Sequence, residues 1–482
     1  MTTAADPGQI VVVPCQVCDV RGIRSDADHG WAVIDVREEI ANAEIGSFHW
    51  QIAVMIGMAV FFDGYDTFSP AYVIHYVMGP WHLAPSQAGL LVSSGLVGFM
   101  FGSLTQGKFS DRYGRRATLL GALWIATVFS LATAVFAHSF WTFCGFRVLT
   151  GTGLGALLPI GVTYLTEFAP RRTLHTFTTW GWGLGWAMGG VVVSLVGAFL
   201  TPRFGWPALY YAASLSIVLA VACHIMLPES LQFAAMRGQL RDLPATLSRL
   251  NPARTAVYTN PKAKFVFPER TDRAASMALL FSERYRRTTL AVGLAAFFIL
   301  FSIFGLTSWI PTVMVGRGET FALSFEFGGL IQIMGFVGAL VCGSFSEHTG
   351  RDRTFLFVWW MGGSLTVLAL ALANHHVLNI LLIAMAGFCI PGGLNILNNF
   401  TAASYETEVR GTAVGTMLGV GRTGAILGPY LTGWLQQLYP GSMALFGVIS
   451  VAVALGACSV TISRPRPARV LPAEGLEPVT IG

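Results

Sequence analysis

Apolar residues in this chain come in long unbroken runs, not in the alternation of strands or the narrow stripes of soluble helices. A bilayer core takes about 20 apolar residues per helix. Runs of that length fall at 51–78, 86–107, 117–138, 140–168, 175–200 and 206–227, and again at 286–314, 321–346, 354–373, 377–404, 409–438 and 440–462. The pattern predicts an all-α membrane protein with twelve spans. The runs are too long and too continuous for the strands of a membrane β-barrel. The polar stretches divide the chain into an N-terminal tail (1–50), a six-helix half (51–227), a central loop (228–285), a second six-helix half (286–462) and a C-terminal tail (463–482). In the first tail, Ile10 to Val13 is too short for the core of a cleavable signal. Trp31 to Ile45 reads as a short amphipathic helix ahead of the first span.

Composition agrees. Of 482 residues, 54% are hydrophobic and 11% charged, against about 25% charged in soluble proteins. This excludes a disordered chain and argues against a soluble enzyme. A net charge of only +5 argues against a nucleic-acid partner. The sorting of charge matters more than its amount. With the N-terminus placed in the cytoplasm, 26 of the 30 Lys and Arg residues fall on the cytoplasmic side. Arg203 and Arg317 lie opposite, and Arg147 and Arg422 lie inside spans. Basic loops stay inside, so both termini and the central loop are expected in the cytoplasm of a cell inner or plasma membrane. The seven Cys form no disulfide framework, and the lone pair Cys15 and Cys18 lacks the second ligand pair a metal would need. No cofactor or metal is expected. With no phosphate-binding Gly-x-x-x-x-Gly-Lys loop, ATP is not the expected driving force.

The chain also repeats itself. Gly107-Lys108-Phe109-Ser110-Asp111-Arg112-Tyr113-Gly114-Arg115-Arg116 is echoed 236 residues later by Gly343-Ser344-Phe345-Ser346-Glu347-His348-Thr349-Gly350-Arg351. Glu167 and Arg171 are echoed by Glu406 and Arg410 at an offset of 239. Two like halves around a midplane site are a transporter architecture. The first of these loops resembles the signature of the major facilitator superfamily. Within that family the chain is most similar to the aromatic acid:proton symporters. That resemblance rests on Asp63-Gly64-Tyr65-Asp66, on Arg147 to Gly155, on Trp309-Ile310-Pro311-Thr312 and on Gly419 to Pro429. Pro228-Glu229-Ser230 is similar to a motif of the sugar and organic-ion branches. The chain departs from the pattern at Glu406, at Glu347-His348 and in a fifth span rich in Trp. The resemblance implies two pseudo-symmetric six-helix halves, no enzymatic activity, and proton-coupled uptake of an aromatic or related small organic acid. Other small metabolites (a sugar, polyol, nicotinate-like acid or organic cation) and a non-transporting receptor are the alternatives.

Charges inside spans locate the candidate chemistry. Asp63 and Asp66 share one helical face at i, i+3, and an ionised Asp at mid-membrane costs about 2.5–3.5 kcal/mol. Burial and mutual repulsion suit such a pair to carrying protons; a structural Asp bonded to a broken helix is the plainer alternative. Arg422 offers a planar fork suited to a carboxylate, or it neutralises one of the aspartates. The resemblance implies the carboxylate role. Arg147 reads equally as structural. Tyr65, Trp186, Trp309, Gln332 and Asn395 are candidates to line a pocket for the acid, although each aromatic is also a candidate for packing or interfacial anchoring. Asp111, Arg112, Arg115, Arg116, Glu167 and Arg171, with Glu347, Arg351, Glu406 and Arg410 in the second half, read as a charge cluster gating the cytoplasmic side. The plainer alternative is a solvated loop that sets topology. Glycine stripes at Gly98 and Gly102, Gly151 and Gly155, Gly181-Gly185-Gly189 and Gly411-Gly415-Gly419 predict close helix contacts.

Overall fold

A computed structural model describes residues 23–26, 31–170, 183–237, 243–260, 264–266, 277–349, 352–373 and 375–463. Every apolar run meets a helix. After the short α1 (Val36–Ala41) come α2 (Ser47–Val77), α3 (Pro85–Tyr113), α4 (Arg115–Phe136), α5 (Phe140–Phe168), α6 (Gly185–Phe199) and α7 (Pro207–Met226). A second series follows: α8 (Arg286–Gly316), α9 (Phe321–Thr349), α10 (Asp352–Leu372), α11 (His376–Ser404), α12 (Thr407–Leu438) and α13 (Ser442–Thr461). Among the described residues, ten of these helices are long and apolar enough to cross a membrane. The two long-series helices outside that ten are α6, a shorter apolar helix that begins just after the described residues resume, and α12. α12 has the length, at 32 residues, but Gly and Thr take the place of many larger apolar side chains. Large apolar side chains such as Leu104, Phe136, Val218, Ile225 and Leu372 are exposed around the bundle, as a lipid-facing surface requires.

Glycine sets the tightest seam. A Cβ on Gly98 would stand 1.9 Å from the carbonyl oxygen of Val148, one on Gly151 2.0 Å from that of Gly95, and one on Gly155 1.9 Å from that of Phe99. The backbones of α3 and α5 therefore touch, as the two stripes predict. Gly155→Ala is expected to force them apart at a cost of about 1–3 kcal/mol, seen as a lower melting temperature in detergent. The stripe Gly411-Gly415-Gly419 behaves differently. A Cβ on any of the three would meet nothing within 4 Å.

That contrast reflects how the two helix series meet. At one end of the bundle they are in contact. A Cβ on Gly89 of α3 would stand 2.2 Å from the Pro429 carbonyl oxygen of α12, and Ser93 donates to the Ile426 carbonyl at 2.7 Å. Tyr72 of α2 stacks on Phe325 of α9 at 5.0 Å, and Phe68 stacks on Phe304 of α8 at 6.2 Å. At the other end, a Cβ on Gly107 of α3 or on Gly411 or Gly415 near the start of α12 would meet nothing within 4 Å.

The segment ahead of the first span differs from expectation. Trp31–Asp35 is a strand, β2, and only Val36–Ala41 is helical. β2 pairs antiparallel with β1 (Ile23–Asp26) and parallel with β3 (Lys264–Val266) of the central loop. Asp35 ends the strand and caps α1, its carboxylate accepting from the backbone N–H groups of Arg37 and Glu38. Glu39 of α1 is 7% exposed; its carboxylate pairs with Arg254 and accepts from the Tyr258 hydroxyl at 2.6 Å. Burial first, then that bond to Glu39, pushes the Tyr258 phenol above its ordinary range. Ile34, Val36, Leu231, Leu243, Leu247 and Leu250 join Leu119, Tyr164 and Phe168 in one apolar cluster. Tail and loop thus sit together on the ends of α4 and α5.

Candidate functional site

The two aspartates of α2 are both buried, yet the fold treats them differently. Asp66 is saturated. Its Oδ2 pairs with Arg147 Nη1 of α5 at 2.6 Å, its Oδ1 accepts from Ser130 of α4 at 2.8 Å, and its backbone carbonyl accepts from Arg147 Nη2 at 2.9 Å. Arg147 is 1% exposed and lies over the Tyr210 ring at 5.4 Å. Each carboxylate oxygen of this buried ion pair is thus bonded, and removing either member leaves an uncompensated charge. The sequence left the role of Arg147 open; the structure makes it the counter-ion of Asp66.

Asp63 has no such partner. It is fully buried and, among the described residues, its Oδ2 accepts no hydrogen bond and its Oδ1 is reached only by the Thr67 hydroxyl at 3.5 Å. Among the described residues, Arg422 and Asp66 are the charged groups that act on it, neither of them bonded to it. Arg422, from α12, reaches across to α3 and lays its guanidinium over the Phe99 ring at 4.1 Å. Among the described residues it donates no hydrogen bond. Phe99, on which the guanidinium lies, and Thr67, which reaches Asp63, line one small cavity, so a guanidinium with free N–H donors and a carboxylate with a bare oxygen are brought into one neighbourhood. The first is built to receive an anion and the second to receive a proton.

Aromatic side chains surround this pair. Phe99 shares an apolar cluster with Leu154 and Leu158, and the half-buried Trp186 packs on that cluster. Trp186 also meets Phe68 edge to face at 5.7 Å. Gln332 of α9 lies half-buried against Gly190 of α6. The other candidates are not brought to Arg422. Tyr65 is buried with its hydroxyl donating to the Leu209 carbonyl at 3.0 Å, which turns it into the packing of α2 on α7. Trp309 is 1% exposed and donates to the Pro429 carbonyl at 3.1 Å, so it seals α8 against α12. Asn395 is exposed, whereas Oδ1 of its neighbour Asn398 is buried without a partner. Sequence reasoning missed Phe99, Ser130 and Thr67. An apolar ring and two hydroxyls inside spans carry no signal until the helices are placed.

The proposed gate forms in part. Arg115 pairs with Glu167 at 3.3 Å and with Asp111 at 3.7 Å, and Glu167 also accepts from Ser230. Arg116 donates to the carbonyls of Leu227 and His224, and its own N–H donates to Glu229 at 2.9 Å. Gly114, at φ +102, makes the turn between α3 and α4, where a Cβ would also strike Glu229. Arg112 offers its backbone carbonyl to Arg237 while its side chain lies by the Tyr113 ring. In the second series, Glu406 pairs with Arg284 at 2.6 Å on the surface, and Arg410 is exposed. Arg171 and Arg351, the side chain of Glu347, and the Cys15–Cys18 pair lie outside the described residues. Among the described residues, no ion pair joins Asp111, Arg115 or Glu167 to the second series.

A family model described as Major Facilitator Superfamily matches residues 54–363 and 332–481. A gallate transporter of Pseudomonas putida is 34% identical over 92% of this chain and 98% of its own length. A 4-hydroxybenzoate transporter of Pseudomonas aeruginosa is 33% identical over 84% of this chain and 90% of its own. A benzoate transport protein of Acinetobacter baylyi is 27% identical over 92% of this chain and 96% of its own. Among solved structures, the xylose transporter of E. coli in a partially occluded inward-open conformation superimposes with a TM-score of 0.65 at 15% identity. That match covers 86% of this chain and 98% of that one.

Proposed function

The chain belongs to the major facilitator superfamily, and from that premise we propose that it takes up an aromatic or related small organic acid together with protons by alternating access. It is a multi-pass membrane protein of a transporter family and not an enzyme. The twelve spans form two pseudo-symmetric halves, with both termini in the cytoplasm of the inner or plasma membrane. The relatives named for gallate, 4-hydroxybenzoate and benzoate support the substrate class.

One observation carries the mechanism: an unbonded Arg422 guanidinium shares the interior with an unpaired Asp63. While the site is empty, Arg422 offsets part of the Asp63 charge. A substrate carboxylate that takes the Arg422 fork withdraws that counter-charge, and Asp63 then holds a proton. Proton and acid enter the site together because either alone leaves an uncompensated buried charge. Phe99 and Trp186 supply flat apolar surface for the ring. Gln332 adds a polar group to the lining, Tyr65 and Trp309 hold the helices behind it, and Asn395, exposed here, would join it only as the halves move. Asp66 holds its helix to Arg147.

With the basic loops inside, the closed end of the bundle faces outward and the open end faces the cytoplasm. The Arg115–Glu167–Asp111 group, with Arg112 and Arg116, then pairs within its own half. It would meet Glu347, Arg351, Glu406 and Arg410 when the cytoplasmic side closes. A cation substrate is the weaker reading because Asp66 is already neutralised. A panel of labelled aromatic and aliphatic acids in proteoliposomes, with and without an imposed proton gradient, tests the function. Aromatic acids are expected to accumulate only with the gradient. Binding without flux would identify a receptor instead.

A further inference from the structure

We propose that one water molecule occupies a small cavity between α2, α3 and α5 and joins Asp63 to the Arg147–Asp66 pair through Thr67. Thr67 is then a positioning residue for proton release. The inference rests on the proton-coupled reading above and deepens it. The cavity has a volume of about 10 Å³ and is walled by Thr67, Gly95, Phe99 and Arg147 among others. That is roughly the room one water needs, provided two or more polar groups reach it.

Two polar groups do. Arg147 spends Nη1 and Nη2 on Asp66, but among the described residues its Nε–H is buried without a partner. The guanidinium edge carrying Nε and Nη2 faces Gly95, where a Cβ would stand 3.2 Å from Nη2 and 3.5 Å from Nε. Gly95 keeps that space clear. Thr67, buried and lining the same cavity, directs its hydroxyl proton to Asp63 Oδ1 and leaves its oxygen lone pairs to accept.

The hydrogen bonds can run in one direction only. Arginine has donors and no acceptor, so Nε–H donates to the water, the water donates to Thr67 Oγ1, and Thr67 donates to Asp63. Every donor points toward the Asp63 carboxylate, so the chain favours its ionised form, the state reached after the proton leaves. Phe99 lines this cavity and also carries the Arg422 guanidinium over its ring. Asp63 is thus steadied by one arginine through a relay and by the other through space.

Thr67→Val keeps the shape and deletes the hydroxyl. Gradient-driven uptake is expected to fall about tenfold, the loss of a hydrogen bond to a charged group, while counterflow exchange, which needs no net proton release, keeps its rate. Thr67→Ser should restore gradient-driven uptake. Gly95→Ala fills the cavity with Thr67 intact and should give the same selective loss. Gradient-driven uptake at the wild-type rate in Thr67→Val would overturn the relay, as would equal defects in the Val and Ser variants. Asp63→Asn, measured alongside, separates the two levels. If that variant still accumulates substrate, the proton-coupled reading fails; if it does not while Thr67→Val is normal, only the relay does.

Discussion

Arg422→Ala abolishes uptake of an aromatic carboxylate while leaving the folded helices intact. The side chain donates no hydrogen bond among the described residues, so its removal breaks no internal network. What is lost is the fork for the substrate. Truncating one partner of a buried charge-assisted pair costs about 2–5 kcal/mol, which lowers uptake efficiency by roughly one and a half to three and a half orders of magnitude. Asp63 also loses its distant counter-charge and holds its proton throughout the cycle. Arg422→Lys restores the charge without the planar fork and is expected to recover only part of the uptake. Initial rates against substrate concentration, with detergent melting curves as a control for folding, check both. Wild-type uptake by Arg422→Ala would refute the assignment of the carboxylate site.

Asp63→Asn and Asp66→Asn are expected to fail in different ways. The first places a neutral amide where an unpaired carboxylate sits, imitating the protonated state. Substrate still binds and exchanges, but concentrative uptake stops because no proton can be released. The second leaves Arg147 buried without its anion. Breaking such a pair costs about 3–5 kcal/mol, so Asp66→Asn appears first as a loss of thermal stability and yield. Melting temperature and counterflow, measured for both, give the contrast. Concentrative uptake surviving in Asp63→Asn would remove that residue from the proton path.

How much of this was legible in the sequence follows from range. Spans are local: each apolar run meets lipid by itself, so among the described residues each run meets a helix. Glycine stripes at Gly98, Gly102, Gly151 and Gly155 were legible for the same reason, although which stripe meets which helix was not. Charge within a span was legible as a site because an ion in hydrocarbon needs a reason. Its pairing was not. Asp63 and Asp66 share a face, yet Asp66 found Arg147 and Ser130 on α5 and α4 while Asp63 did not. Only the placement of those helices decides between them. Tyr65 and Trp309 looked like pocket residues because a buried ring and a binding ring have the same composition. Their hydrogen bonds to Leu209 and Pro429 tell the difference. Trp31–Asp35 was misjudged because its strand partner lies in the central loop at Lys264–Val266, far along the chain.

That last pairing changes what joins the halves. The central loop is long on paper, but the strand at Val266 is paired with the tail, and Leu280 already packs with Tyr285, Tyr405 and Val409 beside α8 and α12. From Val266 to the start of the next helix at Met277 is eleven peptide steps, a leash of at most about 40 Å when drawn out. A tether anchored this near to both bodies limits how far they can part, but it neither aims nor drives their motion. The direction of rocking must be set by the helix faces themselves.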